Sequence, residues 1–430
     1  MIDEISSFLW GYPLLAVLMG GGLFLSAKLR FPQLHIIGIF RRSVQTVFKD
    51  KGSHSGISQF QGFSTALAAA VGTGSVVGVG AAIAIGGRGA VFWMWISAFI
   101  GMGISYSENY LGVKYSLNSR LCGAQAYLEK IGRGKIIAVI YALFSVLASL
   151  GMGNMAQANS AVSALEQLHI PKPCAAFIIV IFTAVTACGC KTTAKICEKL
   201  VPFMALFFCA GSLYIILSDI HCAANAFRSI VSDAFSPSAF VGGFAGSALM
   251  EGIKRGAFSN EAGLGSSVAV HSSCEVKSPQ VQGIMGMAEV FIDTVIICTL
   301  TAIVILVSGT DISVSDCAVN AYSESMGSFG KIFISLSLTL FALATIAGWF
   351  FIGEKSWSYL FPDKKIIYKI LCVFCAYAGA VYSPSIIWGI SDIFNGLAAI
   401  PNMTGVLVLS KEIKKPSFSP SARRNQGSTE

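Results

Sequence analysis

Charge is what this 430-residue sequence has least of. Asp, Glu, Lys and Arg make up 12% of it, against the roughly 25% typical of soluble domains. That load cannot cover the surface of a 45.4 kDa globule, so a string of soluble domains, which the length alone would allow, is excluded. No polar linker long enough to separate domains interrupts the chain. The N-terminus carries Asp3 and Glu4 but no basic n-region and no small-residue cleavage site, so no removable signal peptide is expected. Metal and redox centres lack their partners. Cys188-x-Cys190 and Cys372-x-x-Cys375 have the spacing but no His/Cys set nearby, and the 12 cysteines read as reduced thiols in or beside apolar tracts. A nucleotide loop is excluded too. Gly72-x-Gly74 is followed by Gly78 at the wrong spacing, and no Gly-Lys-Ser/Thr follows. With no nucleophile–base pair or metal set in the apolar tracts, no enzyme is expected.

What is present is apolar: 54% of the residues, with 44 glycines. Eleven tracts stand out, at 9–28, 60–84, 90–113, 136–168, 173–189, 200–218, 238–270, 282–308, 329–352, 366–382 and 386–409. At about 20 residues per crossing, these account for a multi-pass protein whose main partner is the lipid bilayer. The +8 net charge then marks sidedness rather than nucleic-acid binding. Of 30 basic residues, 24 fall in loops or tails on one side. They are Lys28, Arg30, Arg41, Arg42, Lys49 and Lys51; Lys114, Arg120, Lys130, Arg133 and Lys135; Lys191, Lys195 and Lys199; Lys277; Lys355, Lys364, Lys365 and Lys369; and Lys411, Lys414, Lys415, Arg423 and Arg424. Arg88, Lys172, Arg228 and Lys331 fall opposite, and 309–328 has Asp311, Asp316 and Glu324 but no base. The expected topology is N-terminus outside, C-terminus cytoplasmic, in a bacterial-type inner membrane. The stretch 29–58 reads as a surface amphipathic segment and the tail from 411 as disordered.

Two tracts are built to break. Tract two carries Gly72, Gly74, Gly78 and Gly80; tract seven carries Gly252, Gly256, Gly263 and Gly265, with Glu251, Lys254, Arg255, Asn260 and Glu261. Each glycine costs about 1 kcal/mol in a helix interior. Gly74-x-x-x-Gly78 and Gly242-x-x-x-Gly246 would also suit close helix packing. The positions favour breaks, however. The tracts are second and seventh of eleven and so open two successive sets of five, which insert with opposite orientation. Paired broken helices in inverted halves point to a transporter site.

The same residues resemble the alanine or glycine:cation symporter family of the amino acid–polyamine–organocation superfamily. The resemblance runs from about 57 to 410. It rests on Gly72-Thr-Gly-Ser75, Gly86-Gly-Arg-Gly-Ala-Val-Phe-Trp-Met-Trp95, Gly153-Asn-Met-Ala-Gln157, Arg255-Gly-Ala-Phe-Ser-Asn-Glu-Ala-Gly-Leu-Gly265, Phe291-Ile-Asp-Thr294 and Thr345-Ile-Ala-Gly-Trp-Phe-Phe-Ile-Gly-Glu354. It implies an all-α leucine-transporter-type fold: a five-plus-five inverted repeat with one extra N-terminal helix. The implied parts are 1–56 for the extra helix and basic loop, 57–218 and 219–410 for the repeats, and 411–430 for the tail. It also implies a symporter importing a small neutral amino acid with Na⁺ and no obligate protein partner. A proton-coupled permease, or a channel or sensor on the same scaffold, remains the alternative. The implied substrate site is Gly72, Thr73, Gly74, Ser75, Gln157, Phe258, Ser259, Asn260, Thr345 and Trp349. Sodium is implied between the carbonyls of Ala68 and Val71 and the hydroxyl of Thr345 or Thr339. Ser75 stands where the family usually has Asn, and Arg88 where it usually has Pro.

Charges inside apolar tracts must face protein or water. Glu261 is expected to bond N–H groups freed at the second break, with proton carriage as its alternative. Glu289 and Asp293, one turn apart, suit structural hydrogen bonds or a shared cation or proton. Lys254 and Arg255 are expected to pair with Glu251 or line an outer vestibule, and His271 to be solvated at the start of an inside loop.

Overall fold

In hydrocarbon every backbone N–H and C=O needs an internal partner, so apolar tracts become helices. The computed structural model describes residues 2–38, 41, 56–117, 119, 121–236, 248–276, 278–314, 316–382 and 385–416. Most of the 29–58 stretch, the Gly242/Gly246 pair and the tail beyond 416 therefore lie outside the described residues, as do Arg42, Lys49, Lys51, Arg120, Lys277, Arg423 and Arg424. Helices account for nearly all that is described; the only strand-like pairing there is a single bridge, Ile57 to Cys274.

The helices are α1 (Ile2–Leu9), α2 (Tyr12–Leu29), α3 (Gln59–Ala70), α4 (Gly74–Gly86), α5 (Ala90–Ser116), α6 (Gln125–Leu128), α7 (Gly134–Glu166) and α8 (Lys172–Thr186). They continue with α9 (Cys190–Ser218), α10 (Ile220–Ala234), α11 (Ala248–Asn260), α12 (Ser266–His271), α13 (Pro279–Val307), α14 (Cys317–Leu360), α15 (Lys365–Val381) and α16 (Ser385–Val408). Among the described residues seven helices are long and apolar enough to span a bilayer, and the bent pair α3–α4 makes an eighth. The other three apolar tracts are the shorter α8 and α15 and the broken pair α11–α12.

Three differences from the sequence reading have local causes. Tract six begins ten residues early, so Lys191, Lys195 and Lys199 sit on the first turns of α9 rather than in a loop. Tract nine grows to the 44-residue α14, kinked at Gly327, whose φ of 59° lies in the left-handed region. The segment after tract six, read as loop, holds α10. Its small and apolar residues Ala223, Ala226, Ile230 and Ala234 recur at helical spacing and are buried. Asp219 caps its start by accepting from the Cys222 N–H at 2.9 Å. Similarly, Ser58 and Gln61 exchange side-chain and backbone hydrogen bonds, each 3.1 Å, to start α3.

The two broken helices are central. α5 packs along both α11 and α13, while α14 packs along α3, α7 and α9. Close approach at α14 requires glycine: Gly348 lies directly on the Ala69 backbone, where a methyl group would clash.

Candidate substrate and ion site

The first break is short. Val71 leaves the helical region with ψ of 90°, and α3 and α4 diverge by 49°. The carbonyls ending α3, Ala68 to Val71, are those a helix end leaves without intrahelical partners. α4 restarts as a π-helical turn, Gly74–Gly78. There the Ser75 N–H donates to the Gly72 carbonyl at 3.1 Å, while Val76 and Val77 N–H donate to Thr73 at 3.2 and 2.8 Å. Ser75 N–H is thus spent within the turn, and the N–H groups of Thr73 and Gly74 stand at the mouth of the half-helix.

α14 closes one side of this gap. A Cβ at Gly72 would lie 2.7 Å from Thr345 Oγ1, so glycine is what lets that hydroxyl reach the break. Thr345 Oγ1 donates its proton to the Phe341 carbonyl at 3.0 Å, leaving its lone pairs for an acceptor role. Thr339, the alternative hydroxyl, donates to the Ser335 carbonyl four residues earlier and lies six residues, about 9 Å along α14, from Thr345. α7 closes another side. Thr73 Oγ1 donates to Gln157 Oε1 at 3.0 Å, and Gln157 Nε2 donates to the Met152 carbonyl at 3.3 Å within a second π-helical turn, Gly151–Ala156. Gly153 of that turn lies against the Trp349 side chain.

α11 supplies the remaining residues, and it divides them. Phe258 packs in the apolar cluster of Trp349 and Ala69, and meets Trp10 edge-on at 5.5 Å between ring centroids. Ser259 points to α4 and α13. Asn260 points away: its side chain faces Gly101 of α5, and its Oδ1 accepts from the Ala262 N–H at 3.0 Å. The structure thus brings Gly72, Thr73, Gln157, Thr345 and Trp349 around one gap, puts Ser75 with Ser259 beside it, and turns the Asn260 side chain out of it.

The second break spans residues 261–265. Glu261, Gly263 and Gly265 all have positive φ, at 54°, 92° and 72°. Glycine takes this without strain; Glu261 is held there by its contacts. Its Oε1 accepts from Trp349 Nε1 at 3.0 Å and its Oε2 from Ser266 Oγ at 2.6 Å. This corrects the expectation that Glu261 bonds freed N–H groups. Glu108 of α5 does so instead, accepting from Gly263 N–H at 3.4 Å and Gly265 N–H at 3.2 Å. Asn402 of α16 completes the tie, donating to Glu108 and to the Gly263 carbonyl at 2.8 Å each, while Tyr127 hydrogen-bonds its Oδ1.

His271 is a second correction. It is fully buried, its ring nitrogens bonded to Gln282 and Glu289 at 2.5 Å each, so Glu289 belongs to that cluster and not with Asp293. Arg255 does approach Glu251, at 3.6 Å.

Asp293, expected to make structural hydrogen bonds or to share a cation or proton with Glu289, stands outside the implied substrate and sodium set yet borders it. It lies fully buried on a third π-helical turn, Phe291–Cys298, and accepts from Ser75 at 2.5 Å, Ser259 at 2.7 Å and Thr294 at 2.9 Å. An acid within an apolar tract was the available signal. The π turn that aims it at α4 has no counterpart in the residue pattern.

Comparison with known proteins follows the same architecture. A structure of MhsT in complex with L-phenylalanine superposes with a TM-score of 0.58 at 14% identity, covering 83% of this chain and 90% of that one. Mhp1, a nucleobase-cation-symport-1 family transporter, superposes at 0.52 and 13% identity, covering 76% and 71%. The fold is thus the leucine-transporter type. In sequence, the sodium/alanine symporter AgcS of Methanococcus maripaludis is 38% identical over 428 residues, 95% of this chain and 94% of that protein. The probable sodium/glutamine symporter GlnT of Bacillus subtilis is 31% identical over 96% of this chain and 88% of its own length. The model of the sodium:alanine symporter family matches residues 1–429, so this multi-pass membrane protein belongs to that transporter family.

Proposed function

We propose that the chain imports a small neutral amino acid, alanine or glycine, together with Na⁺. The observation that carries this reading is the convergence on one gap of the α3 carbonyl end, Thr345 Oγ1, and the Thr73–Gln157 pair. Cations favour the negative end of a helix and carboxylates the positive end. In the proposed binding mode, Na⁺ takes the carbonyls of Ala68 and Val71 and the Thr345 hydroxyl. The substrate carboxylate takes the N–H groups from Gly72 to Gly74. The ammonium takes the carbonyls near Phe258–Asn260 and the Gln157 Oε1, displacing Thr73 from it. Sodium then braces α3 against α14, so that closure needs both ligands.

Size selection follows from the walls. Trp349 and Phe258 face glycine and alanine, and an extra methylene in a tight site costs about 1–3 kcal/mol. The names of the relatives support alanine over a nucleobase, while one names glutamine. The driving force suffices. One charge falling through about 100 mV supplies ~2.3 kcal/mol. A tenfold Na⁺ gradient adds about 1.4, together enough for a several-hundredfold substrate gradient. The proposed repeats are 57–218 and 219–410, preceded by an extra helix and basic loop, with the N-terminus outside and the C-terminus in the cytoplasm of a bacterial-type cell.

Competition uptake tests this reading. Labelled L-alanine in Na⁺ medium should be displaced by glycine and L- or D-alanine, weakly by serine, and not by glutamine. Displacement by glutamine alone would move the assignment to a larger substrate; equal uptake in choline medium would remove sodium from it.

A further inference from the structure

We propose that Trp10, at the turn between α1 and α2, sets the substrate size limit by holding Phe258 against the gap. The inference rests on the reading of Phe258 as a wall of the substrate site and deepens it. On the proposed division of the chain, α1 and α2 precede both five-helix repeats, so Trp10 is a specificity residue supplied from outside them.

The turn is short and tied at both ends. Trp10 N–H donates to the Ser6 carbonyl at 2.9 Å and Gly11 N–H to the Phe8 carbonyl at 3.2 Å, after which Pro13 helps to open α2. An indole buried to 1% exposure needs a partner for its N–H. Trp10 Nε1 finds one on α16, donating to the Asp392 carbonyl at 2.8 Å. One helical turn further along α16 comes Gly396. A Cβ there would lie 2.8 Å from Leu9 Cδ2 and 3.0 Å from Trp10 Nε1, so glycine is what lets the turn seat on α16. Leu14 and Leu18 of α2 join Trp10 in one apolar cluster.

Fixed in this way, the indole meets Phe258 edge-on, with ring centroids 5.5 Å apart and planes at 67°. Phe258 packs against two clusters at once. One contains Trp10; the other contains Ala69, Met152 and Trp349, from the three helices that border the gap. Phe258 is half-buried, so part of its ring faces open space and rotation about its side-chain bonds is not blocked on that side. What blocks it is the ring behind. With Trp10 in place the wall stands forward; without it the phenyl ring can fall back into the space the indole leaves. Trp10 belongs to the first cluster and not to the second, so it acts through Phe258 rather than on the ligand.

The test compares, in proteoliposomes, inhibition of labelled L-alanine uptake by unlabelled L-alanine and by L-2-aminobutyrate, which is one methylene longer. The ratio of the two inhibition constants reads the size limit and does not depend on how much protein is folded. Trp10→Ala should lower that ratio about tenfold, the low end of what one methylene is worth in a tight pocket. Trp10→Phe keeps a ring edge, loses the bond to Asp392, and should retain most of the discrimination. Phe258→Ala should lower the ratio as far as Trp10→Ala does, and the double variant no further, because both act on one wall. Gly396→Ala disturbs the seat and leaves the indole intact; it should lower the ratio about threefold and carries the test if Trp10→Ala does not fold. A ratio unchanged in Gly396→Ala, or in a folded Trp10→Ala, while Phe258→Ala lowers it, would overturn the proposal and leave the wall standing. Reduced uptake with that unchanged ratio is what a purely structural Trp10 would give. Additive effects in the double variant would overturn the route through Phe258. An unchanged ratio in Phe258→Ala would overturn the reading of Phe258 as a wall, and the proposal with it.

Discussion

The two broken helices solve the same problem in opposite ways. At the first break, α3 to α4, the gap is short and its neighbours are neutral oxygens: Thr73, Gln157 and Thr345. At the second, α11 to α12, the freed backbone is already taken. Glu108 holds two N–H groups, and Asn402 holds a carbonyl and Glu108 itself. One break is left open to ligands; the other is wired to its surroundings by side chains. On the proposed binding mode, pseudo-symmetric positions carry different loads: ligands on one side, rigidity on the other. Trp349 links them, packing on Gly153 beside the first and donating to Glu261 at the second.

That contrast can be broken most sharply at Glu108. Glu108→Ala leaves three buried donors without an acceptor, each worth about 1–3 kcal/mol. The expected outcome is a loss of about 3–5 kcal/mol of stability, visible as a large fall in thermal midpoint in detergent. A variant as stable as wild type would show that the second break is not held this way. Next in size, Gln157→Ala should leave the thermal midpoint nearly unchanged but weaken alanine binding at least tenfold, since its Oε1 faces the open break. Comparable losses of stability at Gln157 and Glu108 would erase the distinction between the two breaks. Trp349→Phe keeps the ring against Gly153 and removes one hydrogen bond to Glu261. A cost of about 1–2 kcal/mol is expected, with transport slowed and the preference for small substrates relaxed by the smaller ring; unchanged stability and unchanged preference would take Trp349 out of both the link and the wall.

The smallest effect belongs far from both breaks. Asp219 caps α10, and its hydrogen bonds with Cys222 hold its carboxyl below the usual carboxylate range. The capping contribution is therefore present above that range and lost as pH falls through the lowered value. Asp219→Ala should speed amide exchange in the first turn of α10 and leave uptake unaltered.

The spans and both breaks were legible because apolar length and glycine placement are properties of single segments. Gly72 and Gly74 mark the first bend, and Gly263 and Gly265 take the left-handed turns of the second. Partnerships across segments were less legible. Glu261 and Glu108 are both acids in apolar tracts, and nothing local says which one reaches the freed N–H groups; the packing of α5 against α11 decides it. His271 read as solvated because an apolar tract ends there, yet α13 folds back to bury it against Glu289. Asn260 sits in the Phe-Ser-Asn-Glu run, but its orientation depends on a contact with Gly101 that is far away in sequence. α10 escaped notice because alanine-rich amphipathic segments of 15 residues fall short of a span.

The central claim is that sodium and substrate share the open first break. It is tested most directly by equilibrium binding of labelled L-alanine to purified protein across a Na⁺ titration, in wild type and Thr345→Val. Alanine affinity should rise with Na⁺ in wild type and lose most of that rise in Thr345→Val, because bound sodium and substrate stabilise the same closed gap. An alanine affinity independent of Na⁺ in wild type, or the same Na⁺ dependence in both proteins, would contradict the account.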